Sequence, residues 1–346
     1  MPINVALVGF GMASQVFHAP LIMAEPRLNL HTVVQRQSQT ARERYPTVQV
    51  VADLGEALAN PALELVVIAT PNQTHADLAA QALSAGKHVV VDKPFTLNSG
   101  QADLLIALAE QQQRVLSVFH NRRWDGDFLT TKAVIDAGWL GRLASYECHY
   151  DRYRPQLKQG AWREQASAGS GILYDLGSHL IDQAVVLFGL PQTIMAQLAK
   201  QRDGAQTVDY FDLRLGYSEL QVTLKAGMLV RETGPRFSLH GTHGSWLKAG
   251  TDSQEAALKA GQTPNSPNWG HEPAADWGML NTEANGLALR GTIETLAGNY
   301  PAYYRNLAQT ISGEADLAVT AKQAREVIRL IELAEQSAAE QRTIAV

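Results

Sequence analysis

The chain has 346 residues, 45% of them apolar and 18% charged, with a net charge of −5 when the ten histidines are neutral. That length is more than one hydrophobic core comfortably supports, so two domains are expected, and the acidic balance gives no electrostatic reason to expect a nucleic acid or an anionic membrane as partner. The one cysteine, Cys148, excludes an intrachain disulfide and any zinc site built on several thiolates.

The first 120 residues alternate between two textures. Strands are expected at INVALVGF (3–10), LHTVVQ (30–35), VQVVA (48–52), LELVVIAT (63–70), KHVVVD (87–92) and RVLSVF (114–119). Helices are expected from Ser14 to Ala24, over 74–86 and over 99–112. Nearly continuous apolar strands separated by amphipathic helices predict a parallel sheet covered on both faces, here a complete six-stranded dinucleotide-binding sheet.

The texture changes after about His120. A helix is expected around 126–137 and another across LYDLGSHLIDQ (173–183). Alternating segments at 143–153, 207–217 and 219–229, and two short strands across a turn at Gly241–Gly244, predict an open, mainly antiparallel sheet. Residues 262–285, rich in Pro, Asn, Gly and Trp, read as a long surface loop whose Trp269 and Trp277 either close over a ligand or pack at a subunit interface. Residues 321–340 have helical periodicity. The expected class is therefore α/β: an N-terminal Rossmann domain with a doubly wound parallel sheet over 1–120, and an α+β domain over 121–346 whose C-terminal helix packs back on the first. No run of about 18 apolar residues occurs, and the N-terminus lacks a basic leader with an apolar run and a cleavage site, so a cytoplasmic location is expected.

Gly9, Phe10, Gly11, Met12, Ala13 and Ser14 stand directly after the first strand and before a helix. In that context Gly9 allows the tight turn, Gly11 lets the backbone approach a pyrophosphate, and the helix amino end supplies free N–H groups. An acid at the end of the second strand would hold the ribose 2′-hydroxyl of NAD. The sequence there is Val34-Gln35-Arg36-Gln37-Ser38, with no acid. Arg36 suits a 2′-phosphate or an adenine face and Ser38 a hydrogen bond, so NADP is the expected coenzyme, with NAD the alternative.

ATPNQTH (69–75), with Thr70, Pro71, Asn72 and His75, and DKPF (92–95), with Lys93 and Pro94, each follow a predicted strand. Ligands lie outside the carboxyl ends of strands in such sheets, so both loops are expected to face the coenzyme. Lys93 there would stabilise alkoxide character on a substrate hydroxyl as hydride leaves. His75 reads as fixing its loop, and His18 as a packing or capping residue of the first helix.

Taken together and in order, GFGMAS, ATPNQTH, KHVVVDKP and GILYDLGSHLIDQ resemble the Gfo/Idh/MocA family of NAD(P)-dependent sugar and polyol oxidoreductases. The family's EKP is DKP here, with Lys93 in place. VFHAP (16–20), FHNRRWDGDFLT (119–130), YDRYRP (150–155) and WREQ (162–165) further resemble the NADP-dependent scyllo-inositol dehydrogenases within that family. The resemblance implies a catalytic set of Lys93, Asp175 and His179, and homodimers or homotetramers built through the C-terminal sheet. His179 would take the hydroxyl proton, since an imidazole's ordinary pKa is about 6.5, while Asp175, one turn earlier, would orient the substrate. An isolated helix with these residues would read instead as a structural ion pair or a satisfied core histidine. An Asp-x-x-x-His pair also suits zinc, yet no second His/Asp cluster accompanies it, so no metal is expected. Asn121 and Tyr153 are candidate substrate contacts, and Trp162 and Arg163 candidate covers for the nicotinamide. The expected activity is NADP-dependent hydride transfer from a secondary alcohol of a cyclic polyol, scyllo-inositol first. The alternatives are another aldose or ketose, or a non-catalytic NADP-binding redox sensor.

Overall fold

In the computed structural model, residues 1–36, 39–158, 160, 164–284 and 286–346 are described. By the density of its backbone contacts the chain forms two units. The first comprises Met1–Trp124, Gln254–Trp269 and Asn299–Glu326, the second Asp125–Ser253, Gly270–Gly298 and Val327–Val346.

The first unit is organised by strands that are apolar on both faces. LVVI at Leu65–Ile68 is buried at every position and HVVV at His88–Val91 at all but the first. Residues of that kind lose exposure on both sides only when helices cover the sheet above and below. The strands are β1 (Ile3–Val8), β2 (Leu28–Val34), β3 (Gln49–Val51), β4 (Leu65–Ile68), β5 (His88–Val91) and β6 (Leu116–Val118), in the order β3-β2-β1-β4-β5-β6 and all parallel. The order reverses at β1, which creates the switch point where a dinucleotide binds in doubly wound folds. Covering helices include His75–Ser84 and Ser99–Gln111, the latter capped by Asn98, whose side chain accepts from the Gln101 amide.

The second unit is built on alternation. Along β9 (Tyr210–Gly216), Phe211, Leu213 and Leu215 are buried, and along β10 (Gln221–Gly227) Val222, Leu224 and Ala226 are. The other strands are β7 (Leu143–His149), β8 (Thr193–Ala199), β11 (Phe237–Gly241), β12 (Gly244–Lys248), β13 (Gly278–Ala284), β14 (Leu287–Ile293) and β15 (Ile344–Ala345). They form one open sheet, β14-β13-β12-β11-β7-β10-β9-β8-β15, antiparallel except where β10 runs parallel to β7. Its core face carries the helix Ser178–Phe188, with Leu180, Ile181 and Ala184 fully buried.

One expectation is corrected. The segment 262–285 is not a loop throughout, since Gly278–Ala284 is a strand paired with Leu287–Ile293. GMLNTEA has only two strong apolar side chains, so its alternating pattern is weak in the sequence. Among the described residues no helix is long and apolar enough to cross a membrane.

Candidate active site

In the first unit the loops after β1, β4 and β5 lie on the carboxyl edge of the sheet and are tied together. Gly9 has φ +88°, and a Cβ there would stand 2.9 Å from the Ala69 carbonyl oxygen and 3.1 Å from Thr70 Cγ2. Only glycine satisfies both the left-handed backbone and that approach. The Ser14 hydroxyl donates to the Gly9 carbonyl at 2.8 Å and the Gln15 amide side chain to the Phe10 carbonyl at 2.8 Å, which set the loop before the helix begins. Gly11 differs from Gly9, because a Cβ built on it meets no protein atom within 4 Å. Its glycine therefore answers no need of the protein's own packing and leaves room for a ligand against the backbone. Phe10 is buried and Met12 exposed beside it. These residues fit a coenzyme pyrophosphate.

His75 joins the two following loops. Its Nδ1 lies 2.9 Å from the Pro94 carbonyl oxygen and its Nε2 3.0 Å from that of Thr70. Burial lowers its pKa, against the charge of Asp92 and the surrounding carbonyls. The Thr70 and Thr74 hydroxyls meet at 2.7 Å, while Asn72 is buried and Pro71 exposed. The Lys93–Pro94 bond is cis and Lys93 is half-buried. The Lys93 backbone amide donates to Asp92 Oδ1 at 2.8 Å. Arg36 follows β2 and is exposed. Asn121 is buried at the start of the turn Asn121–Trp124, which follows β6.

Asp92 sits among charges that no local sequence pattern brings together. His18 Nε2 lies 3.8 Å from its Oδ2, and His18 Nδ1 is 2.6 Å from the Tyr304 hydroxyl. Burial alone would raise the Asp92 carboxyl. The contact with His18, then the charges of His18, Lys93 and His75, outweigh it and hold the carboxyl below the ordinary carboxylate range. His18 and Tyr304 are 286 residues apart in sequence, so no local pattern joins them.

In the second unit, Asp175 and His179 follow a glycine with its own constraint. Gly171 has φ +84°, and a Cβ there would stand 2.8 Å from the Val208 carbonyl oxygen. The Ile172 amide donates to that same carbonyl at 2.9 Å, fixing the entry to the helix. Leu173–Gly177 is a π-helical stretch leading into the α-helix Ser178–Phe188. Such stretches often mark functional sites, because the widened turn displaces side chains from regular spacing. Asp175 is half-exposed and His179 buried. Tyr153 is exposed, and the Arg231 guanidinium stacks 4.3 Å over its ring and donates to its hydroxyl at 2.6 Å. Ser38, Trp162 and Arg163 lie outside the described residues.

Residues 3–120 match the description "Oxidoreductase family, NAD-binding Rossmann fold", and residues 132–346 "Oxidoreductase family, C-terminal alpha/beta domain". The chain belongs to the Gfo/Idh/MocA oxidoreductase family. It is 40% identical to the scyllo-inositol 2-dehydrogenase (NADP(+)) IolW of Bacillus subtilis, with 99% of this chain and 95% of that protein covered. It is 45% identical to the oxidoreductase YdgJ of Escherichia coli, over 99% and 98% of the two chains. Among solved structures, the oxidoreductase YvaA of Bacillus subtilis superposes with a TM-score of 0.96 at 40% identity, covering 99% of this chain and 98% of that one. An oxidoreductase of Yersinia pestis, YPO2259, does so at 0.94 and 44%, covering 100% and 97%. As a Gfo/Idh/MocA member the chain is an oxidoreductase with a nicotinamide-coenzyme domain, and the open glycine cradle at Gly11 agrees with that assignment.

Proposed function

We propose that this oxidoreductase interconverts a secondary alcohol of a cyclic polyol and the corresponding ketone with NADP, scyllo-inositol being the first substrate to test. The observation that carries the reading is near-full-length similarity to the IolW dehydrogenase; Lys93, Asp175 and His179 take their roles from the motifs KHVVVDKP and GILYDLGSHLIDQ, which resemble the family's. A bound nicotinamide supplies the hydride acceptor in oxidation and the donor in reduction. Lys93 hydrogen-bonds the reacting hydroxyl and stabilises negative charge on its oxygen. His179 takes the hydroxyl proton in oxidation and returns it in reduction. Asp175, on the half-exposed side of the π-helical stretch, accepts a hydrogen bond from a second hydroxyl and sets the ring's orientation.

Arg36, with no acid at the end of β2, supports NADP over NAD. Tyr153 and Asn121 are the further polyol contacts, and Trp162 and Arg163 cover the nicotinamide. The protein acts in the cytoplasm as a homodimer or homotetramer joined through the nine-stranded sheet.

The test is a steady-state screen of inositol stereoisomers and aldoses with NADP and NAD in parallel, read as reduced nicotinamide absorbance. Turnover of an inositol with NADP, abolished by Lys93→Met while coenzyme still binds, supports the reading. Turnover of aldoses alone moves the substrate class to sugars. Tight NADP binding with hydride transfer to neither class indicates a redox sensor instead.

A further inference from the structure

Three aromatic side chains, Phe119, Tyr303 and Tyr304, pack beneath the Lys93 loop, and a histidine is set among them. His18 is fully buried, with its ring 4.3 Å from that of Phe119, and Phe119 lies 4.9 Å from Tyr303. A structural requirement here would be met by an apolar side chain. The imidazole instead carries a cost, because its buried Nε2 has no hydrogen-bond partner among the described residues. What faces that nitrogen is the Asp92 carboxylate at 3.8 Å, beyond hydrogen-bond reach but close enough for charge to act. The ring cannot turn away freely, since its other nitrogen is held by the Tyr304 hydroxyl at 2.6 Å. On its far side Asp92 receives the Lys93 backbone amide at 2.8 Å.

We infer that His18 is a positioning residue: anchored on Tyr304, it holds the Asp92 carboxylate in place, and Asp92 in turn fixes the backbone from which the Lys93 ammonium is presented to the reacting hydroxyl. The inference rests on the role proposed above for Lys93. The titratable groups that act on Asp92 or feel its charge are His18, Lys93, His75, Tyr303 and Tyr304. Removing His18 takes away the leading influence that keeps the carboxyl ionised at low pH, so Asp92 protonates at higher pH and the lysine loop loses its charged support earlier in an acid titration.

The experiment uses the full-length protein with His18→Gln, Tyr304→Phe and Lys93→Met. The Asp92 carboxyl is followed by carbon NMR, assigned with Asp92→Asn, and kcat is measured against pH with the best polyol. His18→Gln is expected to move the Asp92 titration to higher pH and the acid limb of kcat with it. It should lower kcat about 10- to 100-fold, the cost of a modest misplacement, with coenzyme Kd within about twofold. Tyr304→Phe, which keeps the ring and loses only the hydroxyl, is expected to shift both in the same direction by less, and guards against a folding defect in the first variant. An unmoved Asp92 titration in both variants overturns the inference. So does an unmoved acid limb while Lys93→Met is inactive, and that result leaves the role of Lys93 intact. Turnover surviving in Lys93→Met overturns the role of Lys93 and this inference together.

Discussion

The Nδ1 of His75 stands 2.9 Å from the carbonyl oxygen of Pro94, while the opposite nitrogen of the same ring faces Thr70. One buried imidazole therefore braces the loop after β4 against the loop that carries Lys93. Burial lowers its pKa, so at neutral pH the ring is uncharged and donates through a single N–H. His75→Ala should loosen both loops, weakening coenzyme binding and kcat by about tenfold each, with the lost hydrogen bond contributing about 1 kcal/mol or more. Stopped-flow coenzyme binding and steady-state kinetics measure the two effects. Loss of thermal stability alone, with both constants unchanged, would reduce His75 to a packing role.

The two phosphate-loop glycines should separate folding from binding. Gly9→Ala forces a left-handed backbone and a 2.9 Å approach to the Ala69 carbonyl, so both stability and coenzyme affinity fall. At Gly11 the added methyl meets nothing of the protein. Gly11→Ala should keep its melting temperature within about 2 °C, since it breaks no contact, and still lose coenzyme affinity at least about tenfold. Calorimetry and fluorescence titration on both variants decide the point.

A partly buried ion pair in the first unit carries a pH-dependent share of its stability. Arg122 Nη2 lies 2.5 Å from Glu255 Oε2, joining the turn Asn121–Trp124 to the helix Gln254–Lys259. Burial would raise the Glu255 carboxyl, but the charge of Arg122 and the contact with Lys259 lower it from 4.5 to about 2. A depressed carboxylate adds stability that is present above the unfolded value and lost as pH falls through the folded one. The window is therefore pH 4.5 down to about 2. The full contribution is about 3 kcal/mol, since each pKa unit is worth about 1.4. Wild type should lose stability across that window more steeply than Glu255→Gln, as acid unfolding followed by circular dichroism will show.

If the coenzyme is NADP, as proposed above, the exposed Arg36 guanidinium is the group that meets its 2′-phosphate. Arg36→Ala should lower kcat/KM with NADP about tenfold or more and leave that with NAD nearly unchanged, because only the first carries a 2′-phosphate. Equal losses with both would assign Arg36 to the adenine face.

The parallel sheet was legible because runs such as LVVI and HVVV carry their two-sided burial in composition alone. The second sheet was partly legible. Phe211, Leu213 and Leu215 alternate strongly, whereas TIMAQLA at Thr193–Ala199 mixes in Ala, Met and Leu, residues at home in helices, and was not assigned. In the candidate site, motifs mark Lys93 and His179 as candidates, and the tight turn at Gly9 was legible from its own motif. The support beneath them was not. Asp92, His18 and Tyr304 meet only because β5, the first helix and the helix Pro301–Ile311 pack in three dimensions.

Under the proposed function, Lys93 and His179 serve the same carbon. A crystal structure with NADP and an inositol bound tests it most directly. Lys93 Nζ and a ring nitrogen of His179 should each lie within about 3.2 Å of one hydroxyl whose carbon faces the nicotinamide. Either side chain found out of contact with that hydroxyl would contradict it.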